Sequence, residues 1–249
     1  IIATHIYNFP LRVDILKKIC NKNKIILIED AAEAIGQKLN NKLCGSFGDI
    51  SIFSFYANKQ ITTGEGGMIT TNNKKLFEKS KSLRNLCFGK KDRFNHEDIG
   101  WNYRMTNLQA SLGVSQLKRI KSIVHKRHLV GKEYFQRLKY NKNIYIPETS
   151  RNYAKNIYWV IAFVITNKNL NIDAKKMMKK LITYGIQTRP FFWPMHKQKI
   201  FKEKYKINTS GNYKNSEYIS KYGLYLPSSL DIKSNQIKFI CDKVNSILK

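Results

Sequence analysis

Short apolar runs alternate with helical patterns through the first hundred residues, and no other feature of the sequence constrains the fold as strongly. Residues 24–30 form an apolar run that ends in two acids, which is typical of a strand buried on both faces. Residues 50–55 and 68–71 are further strand-like runs, whereas residues 11–19 and 74–86 show helical spacing. Strands that alternate with helices in this way predict an α/β fold with a mainly parallel sheet.

The next stretch predicts one long helix. Thr106 and Gln109 have the spacing of a capping box, and the apolar pattern that follows continues to Leu138 without a proline. A helix of this length is suited to linking two domains.

The remaining residues mix strands and helices, which predicts a smaller α+β domain. Residues 158–165 form a strong strand pattern, Asp173 begins a helix that ends near Gly185, and a last helix covers residues 235–248. The sequence therefore predicts the following division: a large domain over residues 1–122, a linking helix over 123–140 and a small domain over 141–249.

The net charge raises the question of a nucleic-acid partner. Lysine and arginine number 45 against 17 aspartates and glutamates, a formal charge of +28. A surface this basic attracts nucleic acid, acidic lipid or phosphorylated molecules. The lysines are spread over the whole chain among many Asn and Ile residues, however, and no zinc-finger or RNP motif is present. We therefore favour a compositional bias over a nucleic-acid footprint.

The sequence also bears on the compartment. No apolar run reaches the roughly 18 residues that a membrane span needs, and no signal-peptide pattern is found. The four cysteines lack zinc-type spacing, so we expect reduced thiols and no metal site. These features predict a cytoplasmic protein.

Three polar residues occur where an open α/β sheet binds its ligands, beyond the carboxyl ends of the strands. Asp30 ends the first buried strand, Ser54 lies near the end of the next, and Lys59 follows in a loop before the glycine-rich turn at residues 64–67. Alone, Asp30 reads as a cap and Lys59 as one lysine among many. Together they fit pyridoxal phosphate, which needs a lysine amine of lowered pKa, a carboxylate for its ring nitrogen and donors for its phosphate.

The glycine-rich turn does not indicate a nucleotide loop. It lacks the spacing of a P-loop and of the dinucleotide-binding fingerprint. We expect a tight turn that lets the backbone approach a cofactor.

Five segments resemble the DegT-type sugar aminotransferases, which are fold-type-I pyridoxal-phosphate enzymes. In family order these segments are residues 29–34 (EDAAEA), 53–59 (FSFYANK), 61–68 (ITTGEGGM), 101–107 (WNYRMTN) and 188–196 (TRPFFWPMH), with LPSS at 226–229 near the end. The pattern is closest to the perosamine-synthase-like members. The resemblance implies a three-layer sandwich around a mainly parallel sheet, with a smaller C-terminal domain.

The resemblance also implies roles for the matched residues. Lys59 would form the Schiff base with the cofactor and then move a proton, while Asp30 would pair with the ring nitrogen. Glu33 would lie near the cofactor's 3-hydroxyl, and Ser54 would bind the phosphate. Asn102 would reach the phosphate of a neighbouring subunit's cofactor, which implies a homodimer with shared active sites.

The implied reaction transfers an amino group from glutamate to a nucleotide-linked 4-keto-6-deoxy sugar, in the biosynthesis of amino sugars for surface polysaccharides. Arg189 and His196 would approach the sugar nucleotide from the smaller domain. The alternative for these two residues is a surface salt bridge and a polar residue with its hydrogen bonds satisfied.

Relatives also carry on the order of a hundred residues before the segment that begins here, so the resemblance implies an N-terminally truncated chain and an incomplete sheet. That segment supplies part of the phosphate site and an aromatic that stacks on the cofactor. We therefore expect this chain alone to fold poorly or to be inactive. The alternative function is a non-catalytic remnant or a basic binding protein. The dehydratases of the family are disfavoured, because they replace the Schiff-base lysine with His.

Overall fold

The computed structural model describes residues 1–89 and 91–249. They form two compact units: residues 1–126 with 150–159 make up the first, and residues 127–149 with 160–249 make up the second. The described strands are β1 (Ile2–Thr4), β2 (Ile28–Asp30), β3 (Lys38–Leu39), β4 (Lys42–Leu43), β5 (Ile50–Ser54), β6 (Gly67–Thr70), β7 (Ile144–Tyr145), β8 (Ser150–Arg151), β9 (Ala154–Lys155), β10 (Ile161–Ile165), β11 (Arg189–Pro190) and β12 (Gly223–Leu226). The described α-helices are α1 (Val13–Lys22), α2 (Lys74–Arg84), α3 (Asn107–Leu117), α4 (Ile120–Leu138), α5 (Ala174–Ile182), α6 (Lys199–Glu203), α7 (Lys214–Tyr222) and α8 (Ser234–Ile247).

The first unit is built on a four-stranded sheet in the order β1-β2-β5-β6. β1, β2 and β5 are parallel, and Asp30 at the end of β2 pairs with Ile52 of β5. β6 runs antiparallel to β5 because the chain reverses in the glycine-rich turn, where Phe55 N donates to Gly66 O at 2.9 Å. The predicted α/β fold is confirmed, and the carboxyl ends of β2 and β5 lie side by side.

Two apolar clusters form the core of this unit. The first joins β1, α1 and β2 to the segments that follow them, and its buried members are Ala3, Val13, Cys20, Leu27, Ala31, Ala34, Leu39 and Cys44. The second contains Ile35, Phe55 and Ile61, against which Met105 and Ile120 pack. Ile61 comes two residues after Lys59, so the loop that carries this lysine is anchored in the core from its far end.

A fully buried glutamate lies in the middle of β2. Glu29 Oε1 is 2.9 Å from His5 Nε2, and the Glu29 carboxylate accepts hydrogen bonds from the backbone N–H groups of Gly45, Phe47 and Gly48 at 2.6–2.9 Å. Burial by itself would raise the pKa of Glu29, but these hydrogen bonds outweigh burial and hold the pKa below its usual value. The loop between β4 and β5 is therefore folded around a buried charge.

Residues 150–159 belong to the first unit, although the chain on either side of them belongs to the second. They begin with the hairpin of β8 and β9. Gln37 Nε2 donates to Lys155 O at 2.8 Å, a contact between residues 118 positions apart, and Asn40 N donates to Tyr153 O at 2.8 Å. We call residues 150–159 the returning segment.

The structure divides the long helix predicted over residues 106–138 into α3 and α4. The predicted capping box is present, with Gln109 N donating to Thr106 Oγ1 at 3.2 Å. The helix breaks after Leu117, where Arg119 N donates to Gln116 O at 2.9 Å in the spacing of a tightened turn. The apolar periodicity continues across this turn, so the pattern alone could not indicate it.

The second unit contains an antiparallel sheet in the order β11-β12-β10-β7. α7 packs on β10 and β12, and α5 packs on α8 and β11, which confirms the predicted α+β architecture. Asp173 Oδ1 caps α5 by accepting from Lys176 N at 2.8 Å, and Gly185 follows the helix at a φ of +74°. The strand predicted over residues 158–165 begins only at Ile161. Within residues 1–89 and 91–249, no helix has both the length and the apolar character that crossing a membrane requires.

Candidate active site

Lys59 lies in a loop after β5 that several hydrogen bonds hold in place. Lys59 N donates to Tyr56 O at 3.0 Å, and the side chain of the buried neighbour Gln60 donates to Glu33 O at 2.7 Å. Burial lowers the pKa of the Lys59 amine, although the negative charges of Glu33 and Asp30 act in the opposite direction. The loop thus presents an amine that loses its proton more readily than an exposed lysine does.

Two acidic side chains interact with this amine. Asp30 ends β2, and its Oδ1 accepts a hydrogen bond from Ala32 N at 3.0 Å. Glu33 is buried, and its Oε2 accepts from Tyr7 N at 2.6 Å. Burial raises the pKa of Glu33 to about 7, because it outweighs the hydrogen bond from Tyr7 and the charge of Lys59, while Asp30 adds to the increase. The structure therefore brings Asp30, Glu33 and Lys59 into one electrostatic cluster.

Replacing Glu33 with glutamine should change how stability depends on pH. Because the pKa of Glu33 rises from 4.5 to about 7, the folded protein keeps a proton between these pH values that the unfolded chain releases. The wild type therefore loses stability as the pH rises through this window, by up to about 3 kcal/mol, whereas glutamine does not titrate. Urea unfolding without added ligand measures this effect. The unfolding free energy of the variant minus that of the wild type should increase by about 2 kcal/mol from pH 5 to pH 7.5. An equal difference at both pH values would contradict this prediction.

Ser54 and the glycine-rich turn lie next to the lysine loop in the chain. Ser54 ends β5, pairs with Gly67 of β6, and accepts a hydrogen bond from Tyr56 N at 3.3 Å through its Oγ. Gly66 adopts a φ of +145°, and a Cβ at this position would lie 2.6 Å from Thr63 Oγ1. A side chain at residue 66 would therefore be strained and would crowd the turn.

Asn102 lies apart from this cluster in the chain segment between α2 and α3. It is exposed, its Oδ1 accepts a hydrogen bond from Arg104 Nε at 3.1 Å, and its backbone forms an isolated bridge with Asn85. Its part in binding a neighbouring subunit's cofactor stays a prediction.

The other two predicted site residues belong to the second unit. Arg189 lies on β11, and its Nη1 donates to Thr188 O at 3.2 Å. His196 Nε2 is 3.0 Å from Glu217 Oε1, and the imidazole stacks on Tyr213 with 4.4 Å between ring centroids. The contact with His196, followed by that with Lys197, lowers the pKa of Glu217. The roles of Arg189 and His196 towards a sugar nucleotide also stay predictions.

Trp159 also contacts the lysine loop, although no sequence motif indicates this. In the structure, Lys59 Nζ lies 4.3 Å from the centroid of the Trp159 ring, and Trp159 Nε1 donates to Asn58 O at 3.1 Å. Tyr7 stacks on the same indole, with 6.3 Å between centroids and 22° between ring planes. The sequence pattern assigned Trp159 to a strand, and nothing in a single sequence pairs residues that are a hundred positions apart.

Comparison with known proteins places the chain in a family. The family model described as "DegT/DnrJ/EryC1/StrS aminotransferase family" matches residues 1–245. The chain is 30% identical to the GDP-perosamine synthase of Escherichia coli O157:H7, over 98% of this chain and 64% of that protein. It is 33% identical to the GDP-perosamine synthase of Vibrio cholerae, over 99% of this chain and 65% of that protein. The chain thus spans slightly less than two thirds of the length of these curated relatives.

Solved structures agree with this assignment. Helicobacter pylori PseC, an aminotransferase involved in the biosynthesis of pseudoaminic acid, superposes with a TM-score of 0.90 at 25% identity, over 99% of this chain and 66% of that one. The putative sugar aminotransferase Spr1654 from Streptococcus pneumoniae, in its PLP form, has a TM-score of 0.88 at 18% identity, over 100% and 68% of the two chains, which shows a common fold alone. Since the family model covers nearly the whole chain, this protein belongs to the DegT/DnrJ/EryC1/StrS aminotransferase family.

Proposed function

We propose that the protein is a pyridoxal-phosphate-dependent aminotransferase that moves an amino group from glutamate to a nucleotide-linked 4-keto-6-deoxy sugar. The observation that carries this proposal is the cluster of Lys59, Asp30 and Glu33 at the carboxyl end of the sheet, in which burial lowers the pKa of the lysine amine. The names of the relatives support the substrate class, since two of them are GDP-perosamine synthases. Such a product would serve amino-sugar and surface-polysaccharide biosynthesis in the cytoplasm.

The residues of the cluster fit the cofactor that the family implies. Pyridoxal phosphate requires a primary amine that can lose its proton, a carboxylate for its ring nitrogen and hydrogen-bond donors for its phosphate. Lys59 would supply the amine and Asp30 the carboxylate, and the hydroxyl of Ser54 would contribute to the phosphate site. Glu33, with its pKa raised to about 7, would accept or donate a hydrogen bond at the cofactor's hydroxyl according to its protonation. Asn102 would complete the phosphate site of a second subunit in a homodimer.

The chain's own residues would divide the chemistry among them. The bound cofactor supplies an electron sink for the carbon that carries the transferred nitrogen. Lys59 Nζ would act as general base and general acid, moving a proton between the substrate carbon and a carbon of the cofactor. Asp30 would hold a proton on the ring nitrogen through its negative charge. Arg189 and His196 would bind the sugar nucleotide.

The test uses the complete gene product with pyridoxal phosphate, glutamate and a GDP-linked 4-keto-6-deoxyhexose, with UDP- and TDP-linked 4-keto sugars as competing substrates. We expect a glutamate-dependent amino sugar, detected by mass spectrometry, and preference for one nucleotide. Failure of all three sugars, together with no change in the cofactor's absorbance on adding glutamate, would refute the proposed function and favour a non-catalytic protein.

A further inference from the structure

The returning segment brings an aromatic residue to the lysine loop. Besides its contacts through Tyr153 and Lys155, this segment donates a hydrogen bond from Ile157 N to Asn8 O at 3.4 Å. Its last residue is Trp159, which is 2% exposed. The returning segment is therefore hydrogen-bonded to the rest of the first unit along its length. These contacts fix the position of the Trp159 indole at its end.

The indole contacts the lysine loop in two independent ways. Its N–H donates to the carbonyl of Asn58, the residue directly before Lys59, and its ring faces the Lys59 amine at 4.3 Å. The first contact restrains the backbone of the loop, and the second restrains the side chain. The aromatic face attracts an ammonium group and excludes water from it. Both contacts favour one position of the amine.

Two residues next to the indole have strained backbone conformations, which supports a role for Trp159 beyond packing. Tyr7, which stacks on Trp159, has a φ of +65°, and Tyr158 has a φ of +50°. An aromatic residue in the left-handed region costs about 1–2 kcal/mol and persists only where the surroundings hold it. Here Tyr7 N donates to Glu33 Oε2 at 2.6 Å, and Tyr158 N donates to Asn156 Oδ1 at 2.9 Å. The strained residues thus flank the contact between Trp159 and Lys59.

We propose that Trp159 is a positioning residue that restrains the Lys59 loop through Asn58 and holds the Lys59 amine against its ring. The proposal rests on the proposed function, in which Lys59 bonds to pyridoxal phosphate. It assigns the returning segment a part in the active site of the first unit. Trp159 acts through the lysine and not on the sugar.

The test measures the chemistry of Lys59 in the complete gene product after removal of the cofactor. One readout is the rate at which pyridoxal phosphate attaches to Lys59, trapped with borohydride and located by peptide mass spectrometry. The other is the pH profile of Lys59 labelling by trinitrobenzenesulfonate, with Lys81 on the exposed face of α2 as an internal reference.

Two variants separate the two contacts. Trp159→Phe keeps an aromatic ring but loses the hydrogen bond to Asn58, so attachment should slow about fivefold while the midpoint of the labelling profile stays unchanged. Trp159→Ala removes the attraction of the ring for the ammonium group but also admits water to the amine. Because burial has the largest influence on the pKa of Lys59, hydration should outweigh the lost attraction. Attachment should therefore slow at least about tenfold, and the midpoint should move to higher pH.

The matched control is Trp193→Phe in the second unit. Trp193 Nε1 also donates to a backbone carbonyl at 3.1 Å, that of Lys197, so this variant loses the same kind of hydrogen bond. It should leave both readouts at their wild-type values.

The outcomes distinguish this proposal from the proposed function. Wild-type attachment rates in Trp159→Phe and a wild-type labelling profile in Trp159→Ala would overturn the role of Trp159. If the alanine variant does not fold, as judged by circular dichroism, the attachment rate of the phenylalanine variant decides. Attachment of pyridoxal phosphate to another lysine in the wild type would refute the proposed function, whereas the labelling profile of Lys59 would still test the contact with Trp159.

Discussion

Replacing Lys59 with alanine should lower the rate of amino-group transfer by at least about a thousandfold and abolish covalent attachment of pyridoxal phosphate. Lys59 is partly buried at the carboxyl end of the sheet and interacts with the side chains of Glu33 and Asp30. No neighbouring amine should therefore replace it in binding the cofactor or in moving the proton. The change removes a half-buried cation, and the fold should remain intact. Product formation and the mass of the borohydride-trapped protein measure the two losses.

The matched control for this prediction is Lys81→Ala. Lys81 also approaches an aromatic ring, with its Nζ 5.8 Å from the centroid of Phe77, but it lies exposed on α2. This variant should keep both the turnover and the attachment of the wild type. Turnover in the Lys59→Ala variant at more than a few per cent of the wild-type rate would refute the assignment of Lys59.

Replacing Glu29 with alanine should have the largest effect on stability. The substitution leaves His5 and three backbone N–H groups, those of Gly45, Phe47 and Gly48, without their buried acceptor. Stranding buried groups of this kind costs about 3–5 kcal/mol, a large share of the stability of a single domain. Urea unfolding at pH 7 measures the loss, and Glu78→Ala on the exposed side of α2 is the control. A loss below about 1 kcal/mol would contradict the structural role of Glu29.

The lowered pKa of Glu29 also predicts the direction in which stability changes with pH. The pKa of Glu29 is lower in the folded protein than its usual value of 4.5, because the hydrogen bonds from His5 and the loop outweigh burial. Its contribution is therefore fully present above pH 4.5 and is lost as the pH falls through the lowered value. The difference in unfolding free energy between the wild type and Glu29→Ala should shrink on acidification. A difference that grows on acidification would contradict this reasoning.

Much of the candidate site could be predicted from local sequence. Asp30 ends a strand and Lys59 follows the next one, and parallel strands must bring their carboxyl ends to one edge of the sheet. The caps at Thr106 and Asp173 were equally local, since each depends on a side chain and an N–H group a few residues away. Such signals need no knowledge of the rest of the fold.

The features that the sequence did not predict depend on tertiary contacts. In the sequence, Glu29 is only one of two acids at the end of a strand, because its backbone hydrogen-bond donors follow 16 to 19 positions later. The break between α3 and α4 leaves the apolar periodicity unchanged. Trp159 lies in an apolar run that is typical of a strand, and its contact with the lysine loop depends on the path of the returning segment.

The returning segment also has a consequence for biosynthesis. A ribosome must add a hundred residues after Lys59 before Trp159 exists, and still more before that residue leaves the exit tunnel. A nascent chain can therefore form the early strands and the Glu29 loop while Lys59 still lacks its contact with Trp159. Contacts of such long range form slowly, because the entropy of closing the intervening chain is lost before they stabilise the fold. Lys59 should be among the last parts of the first unit to reach its final surroundings.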